Sequence, residues 1–274
     1  MPDDIRRPIA VICAMPEELI HLEHALPPGR ETWRGNRYVW HTALDGQPIV
    51  LALCGLGMMS AAAVTESVII HEQPSAILNY GCTGAHRLDL LPGDVVLGAR
   101  VVATDNQSER LDGSWRYFQM RYLKRAVQTK EPFLPADPAL LERAVKVATH
   151  LDGSHEPWPL HYGWPESVAH RQPRVVVGTV ASADRWNRTP ATIGALVALH
   201  DSHCEDMEAA AIAMTCASHG VPFLTIKDIS NNELLKATES GTALMELAAS
   251  ELGRRASSVV LGLLRDLAVA PLSA

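Results

Sequence analysis

The chain has 274 residues, of which 47% are hydrophobic and 20% are charged, and its formal net charge is -7. This composition suffices for one large α/β domain or two small ones. The acidic balance, without a basic stripe, argues against nucleic acid as a partner, and no apolar run approaches the roughly 18 residues of a membrane span. Five cysteines in apolar contexts predict reduced thiols and a cytoplasmic location.

The first third of the chain predicts strands that lead into helices. Residues 8–14 form an apolar run and Pro16 suits a first helical turn, so this segment predicts a strand and a helix rather than a signal peptide. Residues 33–43 and 48–53 predict a hairpin around an Asp-Gly turn. The Gly-Leu-Gly that follows Cys54 lacks the third glycine and the acidic partner of a dinucleotide-binding fingerprint.

The middle of the chain alternates between clear and irregular stretches. Residues 75–80 predict a buried strand that runs into Gly-Cys-Thr-Gly. Residues 105–172 form a variable insert in which residues 139–150 predict a helix. Residues 174–180 predict another buried strand, which leads into the Ser-Ala-Asp-Arg-Trp segment that begins at Ser182.

Residues 204–232 are the most informative stretch. Asp206 is suited to cap a helix over residues 207–218, and residues 221–226 predict a buried strand that ends in a polar cluster. Because ligands lie at the carboxyl ends of strands in α/β sheets, this cluster and Glu208 are expected to share a site. The helix dipole is expected to keep Glu208 ionised.

The remaining features limit the kinds of chemistry. Residues 242–268 predict a long amphipathic closing helix. His200, His203 and Cys204 have no second ligand pair at a distance, which argues against a metal site. The sequence has no Gly-x-Ser-x-Gly elbow, so acyl transfer is not expected. We expect neither a metal nor an organic cofactor.

Four motifs in this order resemble the nucleoside phosphorylase and nucleosidase superfamily, and most closely its 5'-methylthioadenosine/S-adenosylhomocysteine nucleosidase branch. They are Ala-Met-x-Glu-Glu at 14–18, Asn-x-Gly-x-x-Gly at 79–84, Ser-x-Asp-x-Trp at 182–186, and Met-Glu at 207–208 followed by Ile-Ser-Asn at 229–231. The resemblance covers nearly the whole chain outside the insert. It implies one three-layer α/β/α domain with a mixed central sheet over residues 1–274.

The resemblance also implies hydrolysis of the N-glycosidic bond of a purine nucleoside. Glu18 would activate water, Asn231 would act on the departing base, and Lys227, where the family carries arginine, would hold Glu18 ionised. The residues implied to bind substrate are Met207 and Glu208 at the ribose, Trp186 stacked on the base, Asn187 at the base edge through its backbone, and Cys82, Thr83 and Gly84 near the water.

Some alternatives stay open at this point. Adenine-cleaving members carry aspartate where this chain has Asn231, so we expect a 6-oxopurine nucleoside to be accepted at least as well as its 6-amino counterpart, and a 5'-substituted nucleoside is also open. Asp228 is a weaker candidate for the acid. Arg87 leaves a phosphorylase possible, and a non-catalytic nucleoside-binding protein is the third class. A closed homo-oligomer, most simply a dimer, is expected.

Overall fold

The computed structural model describes residues 6–151, 172–235 and 247–272. The α-helices in these ranges are α1 (Pro16–Ala25), α2 (Met58–Glu72), α3 (Pro138–Leu151), α4 (Pro190–His200), α5 (Ala209–His219) and α6 (Arg254–Val269). The strands are β1 (Ile9–Cys13), β2 (Arg30–Arg34), β3 (Arg37–Leu44), β4 (Gln47–Leu53), β5 (Ala76–Ala85), β6 (Val95–Ala103), β7 (Gln107–Glu109), β8 (Trp115–Tyr117), β9 (Met120–Lys124), β10 (Val127–Glu131), β11 (Leu134–Pro135), β12 (Val175–Ser182), β13 (Ser202–Asp206) and β14 (Phe223–Asn231).

Ten strands form one mixed sheet, which is the centre of the fold. Its order is β11-β6-β12-β13-β5-β1-β4-β3-β2, and β14 pairs with both β5 and β6. Strands β6, β12, β13, β5 and β14 are therefore hydrogen-bonded in a closed ring. Strands β1, β4, β3 and β2 extend from β5 as an open sheet, and β11 pairs with β6. The mixed central sheet expected from the sequence is confirmed.

Two sets of parallel strands run in opposite directions through this sheet. Strands β1, β4, β5 and β14 form one set, and β6, β12 and β13 form the other. The sets meet where β5 and β13 pair antiparallel, with Gly84 opposite Glu205 and Ala85 opposite Cys204. Because this pairing involves the last residues of both strands, the carboxyl ends of both sets converge there.

Side chains alternate between the two faces of the sheet, as the period of a β-strand requires. In β1, Ala10 and Ile12 join a core cluster that contains residues of α2 and α5. Ile9, Val11 and Cys13 join a second cluster, built with α1, α3 and α6. The helices thus cover both faces, which gives the three layers. No helix in the described ranges is both long and apolar enough to cross a membrane.

Several strand and helix ends differ from the sequence prediction. Strand β14 continues through the polar cluster to Asn231, because Lys227 to Asn231 keep pairing with β5. The closing helix begins at Arg254, since Gly253 adopts a φ of 77° that interrupts it, and the part of that prediction over residues 242–246 lies outside the described residues. Trp33 belongs to the additional strand β2 rather than to the predicted hairpin.

The predicted insert begins with two small hairpins. Strand β7 pairs with β8 and strand β9 pairs with β10, both antiparallel and both separate from the main sheet. The predicted helix over 139–150 is present as α3. The rest of the insert, residues 152–171, lies outside the described residues.

Candidate active site

One cavity of about 280 Å³ opens where the carboxyl ends of the strands converge. Its walls come from the β1–α1 turn and the first turn of α1, and from the ends of β5, β13 and β14. The segments after β4, β12 and β13 and the side chain of Leu252 complete them. The lining residues are Ala14, Met15, Glu18, Leu56, Cys82, Thr83, Gly84, Arg185, Trp186, Glu205, Asp206, Met207, Glu208, Ser230, Asn231 and Leu252. Eight of the ten residues predicted from the sequence are among them, and Lys227 and Asn187 are not.

Glu18 is buried with its carboxylate fastened by main-chain donors. The N–H groups of Ala14 and Met15 donate to Oε2 at 3.0 Å each, and the N–H of Cys82 donates to Oε1 at 2.8 Å. The bond from Met15 is half of a capping box at the start of α1. Three charge-assisted bonds hold one rotamer of a carboxylate that faces the cavity.

The backbone around Glu18 is shaped for this carboxylate. Gly81 has a φ of 149°, and a Cβ at this position would lie 2.5 Å from Glu18 Oε1. Only glycine fits here, because the carboxylate occupies the space of a side chain. The hydroxyl of Tyr80 donates to the main-chain oxygen of Glu18 from behind. The motif at residues 79–84, which contains Gly81, therefore positions the carboxylate of Glu18 in the motif at residues 14–18.

Glu208 is the second buried carboxylate of the cavity. Its Oε1 accepts from the N–H of Gly57 at 2.9 Å and its Oε2 from the N–H of Met207 at 3.3 Å. Burial and the nearby charge of Asp206 raise the pKa of Glu208 to about 7. The helix dipole at the start of α5 does not outweigh these two effects, so the expectation of a fully ionised Glu208 is wrong near neutral pH.

Asp206 and Lys227 form a buried ion pair beside the cavity. Lys227 Nζ lies 2.8 Å from Asp206 Oδ2, and the two side chains are 2% and 1% exposed. Burial disfavours the ammonium, but Asp206, Glu208 and Glu18 together more than offset this, so the pKa of Lys227 is raised. Lys227 thus supplies a permanent positive charge behind the two glutamates without contacting the cavity.

The Asp206 carboxylate accepts from the first N–H of α5, but the helix begins two residues later than predicted and its N-cap residue is Glu208. Both carboxylate oxygens accept from the N–H of Ala209, at 3.2 and 3.0 Å. Ser182 donates its hydroxyl to Asp206 Oδ1 at 2.5 Å and accepts from the N–H of Ala210 at 2.9 Å. The Asp206 carboxylate therefore fixes the start of α5, the Lys227 ammonium and the segment that leads to Glu208.

Trp186 lines the cavity from the segment after β12. Asp184 holds this segment in place, since its Oδ1 accepts from the N–H of Met58 at the start of α2 at 2.7 Å. The guanidinium of Arg188 lies 4.2 Å from the centroid of the Trp186 ring. The cation covers part of the indole, but Trp186 is still 47% exposed, so part of the side chain is accessible to an aromatic ligand.

Asn231 ends β14 and lines the cavity next to Gly84, its partner in β5. Ser230 Oγ donates to Asn231 Oδ1 at 2.8 Å, and Asn231 Nδ2 lies 3.4 Å from Glu233 Oε1. Because a carboxylate only accepts, the amide nitrogen is the group that faces Glu233. The amide nitrogen keeps a second hydrogen for another acceptor.

Comparison with known proteins places this arrangement in a family. The family model described as the phosphorylase superfamily matches residues 8–265. The chain belongs to the phosphorylase superfamily. The resemblance stated from its motifs is therefore confirmed.

Curated and solved members resemble this superfamily protein over most of its length. The 5'-methylthioadenosine/S-adenosylhomocysteine nucleosidase of Anoxybacillus flavithermus is 29% identical over 259 residues, 90% of this chain and 99% of that protein. The nucleosidase of the same name from Neisseria meningitidis, solved with methylthio-immucillin-A, has a TM-score of 0.73 at 24% identity and covers 95% and 100% of the two chains. The futalosine hydrolase of Helicobacter pylori has a TM-score of 0.71 at 18% identity and covers 96% and 99%.

Arg87, considered for phosphate binding, and Asp228, considered as the acid, lie outside the cavity lining of this superfamily protein. Arg87 donates to Asp201 at the protein surface. Asp228 is buried, and its carboxylate accepts from the N–H groups of Gly253 at 3.0 Å and Arg255 at 3.3 Å. Burial raises the pKa of Asp228 to about 7. Asp228 thus caps α6, and this role explains an acid at that position.

Asn187 and Glu205 form the part of the site that motif reasoning described least well. The N–H of Asn187 donates to Glu205 Oε1 at 2.8 Å, and its Nδ2 donates to Oε2 at 2.6 Å. The backbone donor that was expected to meet the base edge is thus bonded to Glu205, which itself lines the cavity. Glu205 was expected in a polar surface turn, and that expectation is wrong, because Glu205 lies in β13 and pairs with Gly84.

Proposed function

We propose that this protein hydrolyses the N-glycosidic bond of a purine nucleoside. The observation that supports this best is the Glu18 carboxylate, which three main-chain N–H groups hold at the wall of a cavity that also contains Glu208 and Asn231. A fixed carboxylate beside a pocket of nucleoside size is suited to remove a proton from water. The relatives named above carry nucleosidase and hydrolase activities in their names.

The charge of the cavity fits a cationic transition state. Among the lining residues that the structure describes, four are acidic and one, Arg185, is basic. Cleavage of a glycosidic bond passes through a sugar with oxocarbenium character. Fixed negative charge near the ribose stabilises that cation without reorganisation. The same charge disfavours an incoming phosphate, which would carry one or two negative charges.

Each side chain then has one role in the proposed mechanism. Glu18 takes the proton of the attacking water. Glu208 accepts hydrogen bonds from the ribose hydroxyls, Trp186 stacks on the base, and Asn231 donates to the base as negative charge develops on it. Lys227 acts from behind the wall, where its charge favours the ionised form of Glu208.

Product analysis tests this proposal against its two rivals. Purified protein is incubated with a panel of purine nucleosides, with and without phosphate. Release of a free pentose in phosphate-free buffer is the expected result. A pentose 1-phosphate that forms only with phosphate would show a phosphorylase, and tight binding without turnover would show a nucleoside-binding protein.

We infer further that the protein is a homodimer in the cytoplasm. Leu56 lines the cavity and is 61% exposed. Met59 and Trp33, which are 82% and 58% exposed, line another depression together with Gly55, the residue before Leu56. Such a patch on a surface favours association with a second subunit. All five cysteines are free thiols, which suits a reducing compartment. Sedimentation of a stable monomer at micromolar concentration would contradict the dimer.

A further inference from the structure

Glu205 is an acidic group of the cavity that the proposed mechanism does not use. Its side chain is 8% exposed, whereas the side chain of its neighbour Asp206 is 1% exposed. Both residues line the cavity. The Asp206 carboxylate is directed into the ion pair with Lys227, so Glu205 is the member of the pair whose carboxylate is open to a ligand.

The hydrogen bonds of Glu205 leave it one acceptor position. Its Oε2 receives Asn187 Nδ2 at 2.6 Å and lies 3.2 Å from His86 Nε2. Its Oε1 receives only the N–H of Asn187, at 2.8 Å. A carboxylate offers about four lone-pair sites, two on each oxygen. One site on Oε1 therefore remains for a donor in the cavity.

The support behind Glu205 fixes its orientation. Ser202 Oγ lies 2.8 Å from His86 Nδ1, and both residues are almost completely buried. Thr83 donates its hydroxyl to the main-chain oxygen of Glu205 at 2.5 Å. The carboxylate is thus held from the protein side by two hydrogen bonds from Asn187 and lies against the His86 ring, so it can discriminate between ligands because it cannot turn away.

Glu205 and Asn231 flank a flat surface in the sheet. Gly84 pairs with Glu205 in β13 on one side and with Asn231 in β14 on the other. Adjacent strands lie about 4.8 Å apart, so the two backbones are separated by roughly twice that distance. Gly84 has no side chain, and the Asn231 amide lies over it, since a Cβ on Gly84 would be 3.6 Å from Asn231 Nδ2. A planar base beside this amide would meet the Asn231 donor at one end and the Glu205 acceptor at the other.

We propose that Glu205 recognises the N1–H group of a 6-oxopurine, which makes it the residue that sets base specificity. The inference rests on the proposed function and narrows its substrate to inosine- or guanosine-like nucleosides. The N1–H donates to Glu205 Oε1, and the free hydrogen of Asn231 Nδ2 meets the O6 and N7 edge. Adenine reverses the contact at N1, which is an acceptor there, and it replaces the O6 acceptor with a 6-amino donor, while N7 stays an acceptor.

The first test compares kcat/KM for inosine, 1-methylinosine and adenosine in wild type and in Glu205→Gln. Wild type is expected to prefer inosine over adenosine and over 1-methylinosine, each by roughly five- to 150-fold, the range for one mispaired buried contact. Glu205→Gln should lower the inosine value and reduce both preferences. A merely structural Glu205 would lower all three values by the same factor, and that outcome would overturn the proposal.

Ser202→Ala is the matched control for this network. It removes the bond behind His86 without touching the cavity, so it should leave the inosine to adenosine ratio unchanged even if it lowers stability. A ratio that shifts as much in Ser202→Ala as in Glu205→Gln would assign the effect to the fold of the network and would contradict a direct contact.

Binding of the free bases separates this inference from the proposed reaction. Calorimetric titration of wild type and Glu205→Gln with hypoxanthine and with adenine needs no turnover. Preferential binding of hypoxanthine that is lost in Glu205→Gln supports the inference even if no nucleoside is hydrolysed. Hydrolysis of nucleosides with an adenine preference that Glu205→Gln does not change would overturn the inference and leave the proposed function intact.

Discussion

Glu18 and Glu208 are two buried glutamates at helix starts that line one cavity, and their surroundings differ. Glu18 receives three main-chain N–H donors. Glu208 receives two and lies close to the charge of Asp206, which together with burial raises its pKa to about 7. The residue type and the burial are nearly the same, so donors and neighbouring charges distinguish the two roles. A carboxylate held in one rotamer suits proton removal, whereas one that titrates near neutrality makes ribose binding depend on pH.

Glu18→Gln tests the first half of this comparison and should have the largest effect. The amide keeps the shape but cannot take a proton from water, so kcat should fall about 100- to 10,000-fold. Nucleoside binding should remain largely intact, as measured by calorimetry. Glu17→Gln is the control, because Glu17 is the exposed neighbour on the same helical turn. A Glu18→Gln variant that keeps most of its kcat would remove Glu18 from the mechanism.

Lys227→Met tests how much the buried ion pair behind the two glutamates stabilises the fold. Breaking a buried pair leaves Asp206 unpaired, which should lower the free energy of unfolding in urea by about 3–5 kcal/mol. Arg87→Met breaks the surface pair with Asp201 and should cost about 1 kcal/mol or less. Similar losses in the two variants would show that the Lys227 pair stabilises no more than a surface pair.

Glu208→Ala tests the second half of the comparison. Each charge-assisted bond to a ribose hydroxyl contributes roughly 1.5–3 kcal/mol, so the substrate dissociation constant should rise about 10- to 150-fold. A 2'-deoxynucleoside should lose part of the same energy in wild type, and the mutation should affect it less. Equal handling of ribo and deoxyribo substrates by wild type would contradict a bond from Glu208 to the diol.

Asn231→Asp adds a fifth carboxylate to the four acidic residues of the cavity lining. It replaces the amide donor with a group that can carry a proton to the base, and it should shift the ratio of kcat/KM towards adenine nucleosides by roughly five- to 150-fold. The ratio is measured with inosine, adenosine and 5'-methylthioadenosine. If wild type strongly prefers adenine substrates and the variant leaves the ratio unchanged, Asn231 does not contact the base as proposed.

The pH dependence should show the smallest effect and should have opposite signs for activity and stability. Below its pKa of about 7, Glu208 is protonated and loses an acceptor, so kcat/KM for a ribonucleoside should fall by up to about tenfold per pH unit. The unfolded chain has a lower pKa at this residue, so the folded state holds the extra proton between about pH 4.5 and 7. The contribution of Glu208 to stability therefore falls as pH rises through that window.

Glu208→Gln separates this titration from others in the protein. Asp228 also has a pKa raised to about 7 by burial, and it changes stability with pH in the same direction. The variant should therefore flatten the pH profile of kcat/KM while leaving the Asp228 part of the stability profile. An unchanged activity profile in Glu208→Gln would assign the titration near pH 7 to a different group.

The sequence predicted the elements that carry short local signals. The turn around Asp45 and Gly46 has positive φ at both residues, as an Asp-Gly hairpin predicts, and the Asp206 carboxylate accepts from the first N–H of α5. The length of β14 could not be predicted, because a run from Lys227 to Asn231 has polar composition but is buried by pairing with β5. Local hydrophobicity contains no information about which strand will form hydrogen bonds with the backbone of this run.

Site residues that belong to a sequence motif could be predicted. Site residues whose hydrogen-bond partners come from distant segments of the chain could not. The pKa of Glu208 depends on Asp206 and on burial, neither of which a dipole argument from the adjacent helix includes. The bond of Asn187 to Glu205 joins residues 18 positions apart, and that between His86 and Ser202 spans 116. Networks of this kind follow from the strand order, which the sequence pattern alone did not provide.

The ring of five strands has a consequence for the motions of the protein. Strands β5, β12, β13 and β14 supply or border most of the proposed site, and each is hydrogen-bonded on both sides within the ring. No one of them can open like an edge strand without breaking two ladders at once. Main-chain amides of β5 and β14 should therefore exchange with deuterated solvent only through the largest opening events. Substrate exchange is then left to the turns and helix starts that surround the ring.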